Sequence, residues 1–194
     1  PSAAVGTGLS NYSITYNTGA VTVNKATLTV TADNQSRIYG DANPSLTYTI
    51  TGYKNSETSS VVTGAPTIST AASTTSNVGS YTITSAANNL SATNYQFSYA
   101  NGSLTVTPKS LTITANARST TYGTVVTTGS GSTLFTSSGL INSDAVNTVT
   151  IATNQSVTTN AGASSITVTP SAAVGTGLSN YSITYNTGAV TVNK

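Results

Sequence analysis

The chain has 194 residues but only six Lys+Arg and four Asp+Glu, a net charge of +2, and neither His nor Cys. Those absences exclude imidazole acid–base chemistry, thiolate nucleophiles, disulfides and the usual zinc sites. Six scattered cations cannot supply the basic footprint a nucleic-acid partner needs, and no apolar run approaches the ~18 residues that cross a bilayer, so neither nucleic-acid binding nor membrane insertion of this segment is expected.

Solubility comes instead from 29 Ser, 41 Thr and 19 Asn, uncharged residues that keep a surface wet. Residues 1–25, PSAAVGTGLSNYSITYNTGAVTVNK, recur without a change at residues 170–194. The chain is therefore a window on a periodic array, and residues 1–25 read as the C-terminal strands of a preceding repeat. On that reading the segment is without its own partner strands and exposes a Tyr12, Ile14, Tyr16 stripe.

Residues 26–109 form the first whole repeat. LTVTA, LTYTI, PTIST, SYTIT, YQFSY and SLTVT alternate apolar residues with Thr or Ser, the pattern of strands with one buried and one wet face. Turn signals YGDANP, ITGYKN, VTGAP, SNVGS and ANGS separate them. Residues 110–194 repeat the plan, with Leu28, Val30, Ala32, Tyr39 and Gly40 falling on Leu111, Ile113, Ala115, Tyr122 and Gly123. Short helical turns are expected only near 56–62 and 142–148, where Ser precedes an acid. The joins TVNKATLTV and TVTPKSLTI leave about four residues between repeats, too few for a flexible linker. The expected fold is all-β, small Ig-like β-sandwiches in tandem, with a β-grasp-like repeat as the alternative.

The opening L-T-[VI]-T-A, the Tyr-Gly pair, the central Gly before an alternating strand and the closing Asn-Tyr-x-[IF]-x-Tyr…Gly…[LV]-T-V occur in the same order in both units. Together they resemble the tandem YGX-type MBG repeats of large bacterial surface and biofilm-matrix adhesins. Tyr39-Gly40-Asp41 with Asn43-Pro44 matches closely, whereas Tyr122-Gly123-Thr124 keeps only the Tyr-Gly. The resemblance implies an extracellular tandem module on a bacterial cell surface or in a biofilm matrix, often a stalk, and implies no catalytic residue.

The residues themselves point the same way. Tyr39, Gly40, Tyr122 and Gly123 are read as a structural motif, Gly giving a positive φ and Tyr tying a turn to a neighbour. Tyr95, Phe97 and Tyr99, with Tyr181, Ile183 and Tyr185, read as a core stripe rather than a sugar-stacking platform, since so small a unit needs its large side chains inside. Tyr53, just after a turn Gly, is the candidate for an exposed glycan contact. Asp33, Asp41, Glu57 and Asp144 are too dispersed for calcium, and Asn116 and Thr124 replace the first two in the second unit. Lys25, Lys109 and Lys194 at the joins are poorly placed for isopeptide bonds. No nucleophile–base or paired-carboxylate set recurs, so no enzyme, cofactor or metal is expected. The partners expected are neighbouring repeats and, if the repeats bind at all, polysaccharide or host and matrix glycans held by many weak contacts.

Overall fold

The structure, a computed structural model, describes residues 3–194. From Ala26 onward the chain is all-β, with only three-residue 3-10 turns besides strands. The first repeat holds β1 (Ala26–Ala32), β2 (Gln35–Ile38), β3 (Tyr48–Thr51), β4 (Thr67–Thr70), β5 (Gly79–Ala86), β6 (Tyr95–Ala100) and β7 (Gly102–Thr107). The second holds β8 (Lys109–Ala115), β9 (Arg118–Thr121), β10 (Gly129–Ser132), β11 (Phe135–Ser138), β12 (Ala145–Thr153), β13 (Thr167–Thr176), β14 (Tyr181–Asn186) and β15 (Gly188–Asn193).

Each repeat is a sandwich of two sheets. In the first the orders are β3-β1-β6 and β2-β7-β5-β4; in the second they are β11-β8-β14 and β10-β12-β13-β15-β9. The alternating sequence explains the layers: Leu28, Val30 and Ala32 are buried on the inner face of β1, Ala32 packing with Ile83 and Leu104 and Leu28 with Ala92 and Tyr95, and their Thr neighbours are more exposed. In the second repeat Leu111, Ile113 and Ala115 meet Val149, Ile151, Val168 and Val190 in the same way.

The two sheets are joined by strands that bend from one to the other. β1 continues into β2 across Asp33-Asn34, and β6 into β7 across Asn101. The two bent strands run parallel throughout, Ala26 beside Tyr95 and Gln35 beside Leu104. At the bend their backbones approach so closely that a Cβ on Gly102 would lie 2.4 Å from the Ala32 carbonyl oxygen, while Asn34 Oδ1 accepts the Ser103 N–H at 2.9 Å. Gly188 occupies the same bend in the second repeat, 2.4 Å from the Ala115 oxygen. A 3-10 turn, Ser59–Val61, follows β3, the antiparallel partner of β1, and precedes β6, its parallel partner, which places the first expected helical turn between the strands of that sheet.

The second expected helical turn is absent from the structure. Residues 141–144 make a reverse turn and β12 starts at Ala145. β12 has nine residues against four in β4, and the added strand β10 pairs along it. Extended pairing with β13 therefore takes up the segment that would have coiled. Pro170 is tolerated inside β13 because β15 pairs only Thr167 and Val168 of it. The join is shorter than the expected four residues: Pro108 alone separates β7 from β8, and Lys109 opens β8.

Residues 3–25 contain no strand, and most of them are exposed, Tyr12 at 74%. They keep one 3-10 turn, Leu9–Asn11, entered through Gly8 at φ 73°.

Candidate functional site: the joint between repeats

The Tyr-Gly pair sits at a corner. In the first repeat the Asp41 N–H donates to the Ile38 carbonyl at 3.1 Å and Gly40 takes φ 86°, so Ile38–Asp41 is a tight turn whose third residue must be left-handed. Thr121–Thr124 builds the same corner with Gly123 at φ 88°. The first corner is braced from behind by Arg37, which is buried without a carboxylate. Its Nε donates to Asn43 Oδ1 at 2.8 Å and the guanidinium also donates to the Ile38 and Ser73 carbonyls. A Thr120–Thr124 hydroxyl pair takes that place at the second corner.

One acid of each repeat, Glu57 and Asp144, is placed by a different device. Asn55 and Ser56 in one repeat, and Asn142 and Ser143 in the other, all have φ between 54° and 64°. Two successive left-handed residues closed by Glu57 N–H to Lys54 carbonyl, or Asp144 N–H to Ile141 carbonyl, both at 2.9 Å, make a type I′ turn. Asn and Ser serve there because short polar side chains tolerate that region. The turn's first N–H donates to a strand tyrosine, Lys54 to Tyr95 and Ile141 to Tyr181, each at 2.9 Å. That tyrosine's hydroxyl in turn donates to the acid, Tyr95 to Glu57 and Tyr181 to Asp144.

At the boundary between the repeats these two devices meet. Tyr39 is 3% exposed, although it stands at a surface corner of its own repeat. Its ring lies edge-on to Tyr181, centroids 5.7 Å apart, and its hydroxyl donates to Asp144 Oδ2 at 3.0 Å. Asp144 thus accepts two tyrosine hydroxyls, one from each repeat. Gly40 lies directly under Ile141, where a Cβ would meet Cδ1 at 1.9 Å. Beside it the Val78 N–H donates to Asn180 Oδ1 at 2.8 Å and Asn180 Nδ2 donates to Asn77 Oδ1 at 3.0 Å. Val106 from the first repeat joins the core of the second, with Val78 and Tyr81 packed against it, so apolar burial as well as hydrogen bonding holds the joint.

Burial and the hydrogen bond to Asp144 push the Tyr181 hydroxyl pKa up to about 12 from its ordinary 10.0, burial being the larger cause. The folded chain therefore holds a proton that the unfolded chain has already lost. That stabilisation is complete below about pH 10 and disappears as pH rises toward 12. The same hydrogen bond from Tyr95 to Glu57 raises the Tyr95 pKa. Thermal melts are expected to be flat from about pH 5 to 9 and to fall above about 10; a Tyr181→Phe chain with an unchanged alkaline slope would overturn this assignment.

Tyr53, the expected glycan contact, is half-buried and packs edge-on to Tyr95 at 6.3 Å. With Tyr48, Ile50 and Leu90 it lines a shallow groove. The counterparts of Tyr48, Ile50 and Tyr53 in the second repeat are Phe135, Ser137 and Leu140, so no tyrosine recurs there. Tyr95 and Tyr181 are buried, and Phe97, Tyr99, Ile183 and Tyr185 are partly so. Of the motif residues, Tyr39 and Gly40 lie in the joint, whereas Tyr122 is 55% exposed. Asp144, Asn180 and Asn77, which complete the joint, were not singled out by the sequence as a group. A signal for Asp144 was available in the Asn-Ser-acid triplet that recurs as Asn55-Ser56-Glu57 and Asn142-Ser143-Asp144.

Two β-sandwiches of one plan, joined by a single residue and a shared tyrosine–carboxylate cluster, define a tandem structural repeat. The chain belongs to the MBG domain family of YGX type, which matches it twice, over residues 28–105 and 111–191. The family is a structural repeat domain and not a known enzyme family. No curated protein matches the chain significantly.

Proposed function

We propose that the chain is a stalk segment of a large bacterial cell-surface adhesin, outside the cell or in a biofilm matrix, where each repeat adds a fixed increment of length and projects an adhesive tip. The observation that carries this reading is the buried joint. Tyr39, Asp144, Tyr181, Asn77 and Asn180 tie the repeats at several points across a one-residue linker, so the pair resists bending in a way that a string of loosely linked domains does not. The scarcity of ionisable groups suits an exposed fibre that meets varied pH and salt.

The test is small-angle scattering of the chain at two ionic strengths, about 0.05 and 0.5 M. A single elongated particle of constant maximum dimension is expected; a distribution of bent forms would remove the spacer role. A second reading, glycan binding by the repeats, is favoured by the groove beside Tyr53. A glycan array that detects binding by the chain, and loses it with Tyr53→Ala, would replace the stalk reading with a binding module.

A further inference from the structure

The first repeat carries a vacant counterpart of the filled joint. In the joint between the repeats, the socket is made by Ile141, Asp144, Asn180 and Tyr181. The corresponding residues of the first repeat are Lys54, Glu57, Asn94 and Tyr95, and they line an open hollow of about 490 Å³ together with residues 23–26. The match extends to residues 23–25, which stand to Ala26 as Val106, Thr107 and Pro108 stand to Lys109. The hollow keeps the filled joint's internal hydrogen bonds: Lys54 N–H to the Tyr95 hydroxyl at 2.9 Å, and that hydroxyl to Glu57. What Glu57 lacks is the second tyrosine that Asp144 has.

At the opposite end the chain displays the missing part. Tyr122-Gly123 has the corner turn of Tyr39-Gly40, φ 88° against 86° at the Gly. Tyr122 is 55% exposed where Tyr39 is 3% exposed, and a Cβ on Gly123 would meet nothing within 4 Å where one on Gly40 would meet Ile141. Asn160-Ala161 occupies the place of Asn77-Val78 beside it. One end is thus a tyrosine corner with no socket, and the other a socket that holds only its own Tyr95.

We propose that the Glu57–Tyr95 hollow receives the Tyr122-Gly123 corner of a second copy of this repeat pair, so that copies join head to tail through the same tyrosine–carboxylate lock. Because the corner and the socket are different surfaces, the contact is heterologous and leaves a free corner and a free socket after each addition, unlike an isologous dimer. The two kinds of joint then alternate: Tyr39 in an Asp144 socket roofed by Ile141, and Tyr122 in a Glu57 socket roofed by Lys54. Lys25-Ala26 is itself a case of this closing segment, identical to residues 170–194, running directly into a repeat.

The experiment compares the chain with a longer one in which a second copy of residues 26–194 follows Lys194 directly. Tyr122→Ala is placed in the only copy of the short chain, and in the first copy of the long chain. In the short chain, kept dilute enough that separate molecules do not associate, Tyr122 has no socket, so its melting temperature should change by less than about 1 °C. In the long chain the same substitution should lower it by about 4 °C or more and widen the distribution of end-to-end distances in single-molecule energy transfer. Glu57→Ala in the second copy should reproduce the long-chain result, and the double variant should be no worse than either single one. Equal effects of Tyr122→Ala in both chains, or additive effects of the two substitutions, would overturn the proposal.

Discussion

Gly102→Val should unfold the first repeat at temperatures where the second stays folded, and Gly188→Val should do the reverse. The new Cβ at residue 102 would sit 2.4 Å from the Ala32 carbonyl oxygen, 2.9 Å from its carbon and 3.0 Å from the Asp33 oxygen. These are backbone atoms of the partner strand at its own bend and cannot rotate away as a side-chain tip could. Relief requires the two bent strands to separate, which breaks the parallel pairing on both sides, Thr31 with Ala100 and Gln35 with Leu104. A loss of more than about 3 kcal/mol is expected, a large part of what a domain this size has. The affected repeat's transition should fall by roughly 15 °C in calorimetry. A shift under about 3 °C would mean that the bend can open, and that the close approach is not what fixes the sandwich.

Tyr39→Ala should uncouple the two repeats without unfolding either. The side chain is buried by the neighbouring repeat instead of its own: its ring contact is Tyr181 and its hydroxyl partner is Asp144. Removing it leaves a cavity between the repeats at a cost of ~3–5 kcal/mol, most of it in the interaction between them. One cooperative transition should become two, and scattering should report a wider range of shapes. Tyr39→Phe keeps the ring and removes one hydroxyl donor from a carboxylate that still has Tyr181, so about 1–2 kcal/mol is expected and coupling should persist. A Tyr39→Ala chain with an unchanged calorimetric profile would show that Val106, Val78 and the Asn77–Asn180 pair suffice for the joint.

The sequence made the repeats and most strands legible, because Thr alternating with Val, Ile and Leu has a single structural reading when turns bound it. Strands without that alternation escaped: Gln35–Ile38 and Arg118–Thr121 are mostly polar, and Gly129–Ser132 is all Gly and Ser. Each is an edge strand, held by backbone pairing with a neighbour, and pattern carries little of that information. The Tyr-Gly corners were legible as structure, since a left-handed Gly after Tyr needs a turn. That Tyr39 would be buried by Asp144 and Tyr181 was not, because the residues are far apart in the chain and the contact depends on how one repeat meets the next. The identical segments 1–25 and 170–194 separate the two kinds of information. Gly8 and Gly177 enter the same 3-10 turn at φ 73° and 71°, and Tyr16 and Tyr185 accept the same backbone N–H, from Ala4 and Ala173. Only the second copy makes strands, Val192 being 2% exposed where Val23 is 90% exposed. Turns follow from the local residues; strands need partners.

That dependence dictates the order in which a repeat can fold as it is synthesised. The first strand of each repeat is central, yet its parallel neighbour lies near the other end: Thr29 reaches Ser98 across 69 residues. Such long closures make contact formation slow, and at ribosomal rates of about 5–20 residues per second the opening strand waits several seconds for its mate. During that interval the nearly uncharged, Thr-rich chain has few groups that would repel another copy of itself. Nascent repeats are thus most open to pairing with the wrong copy before the closing strands, Tyr95–Thr107 in the first repeat, have emerged.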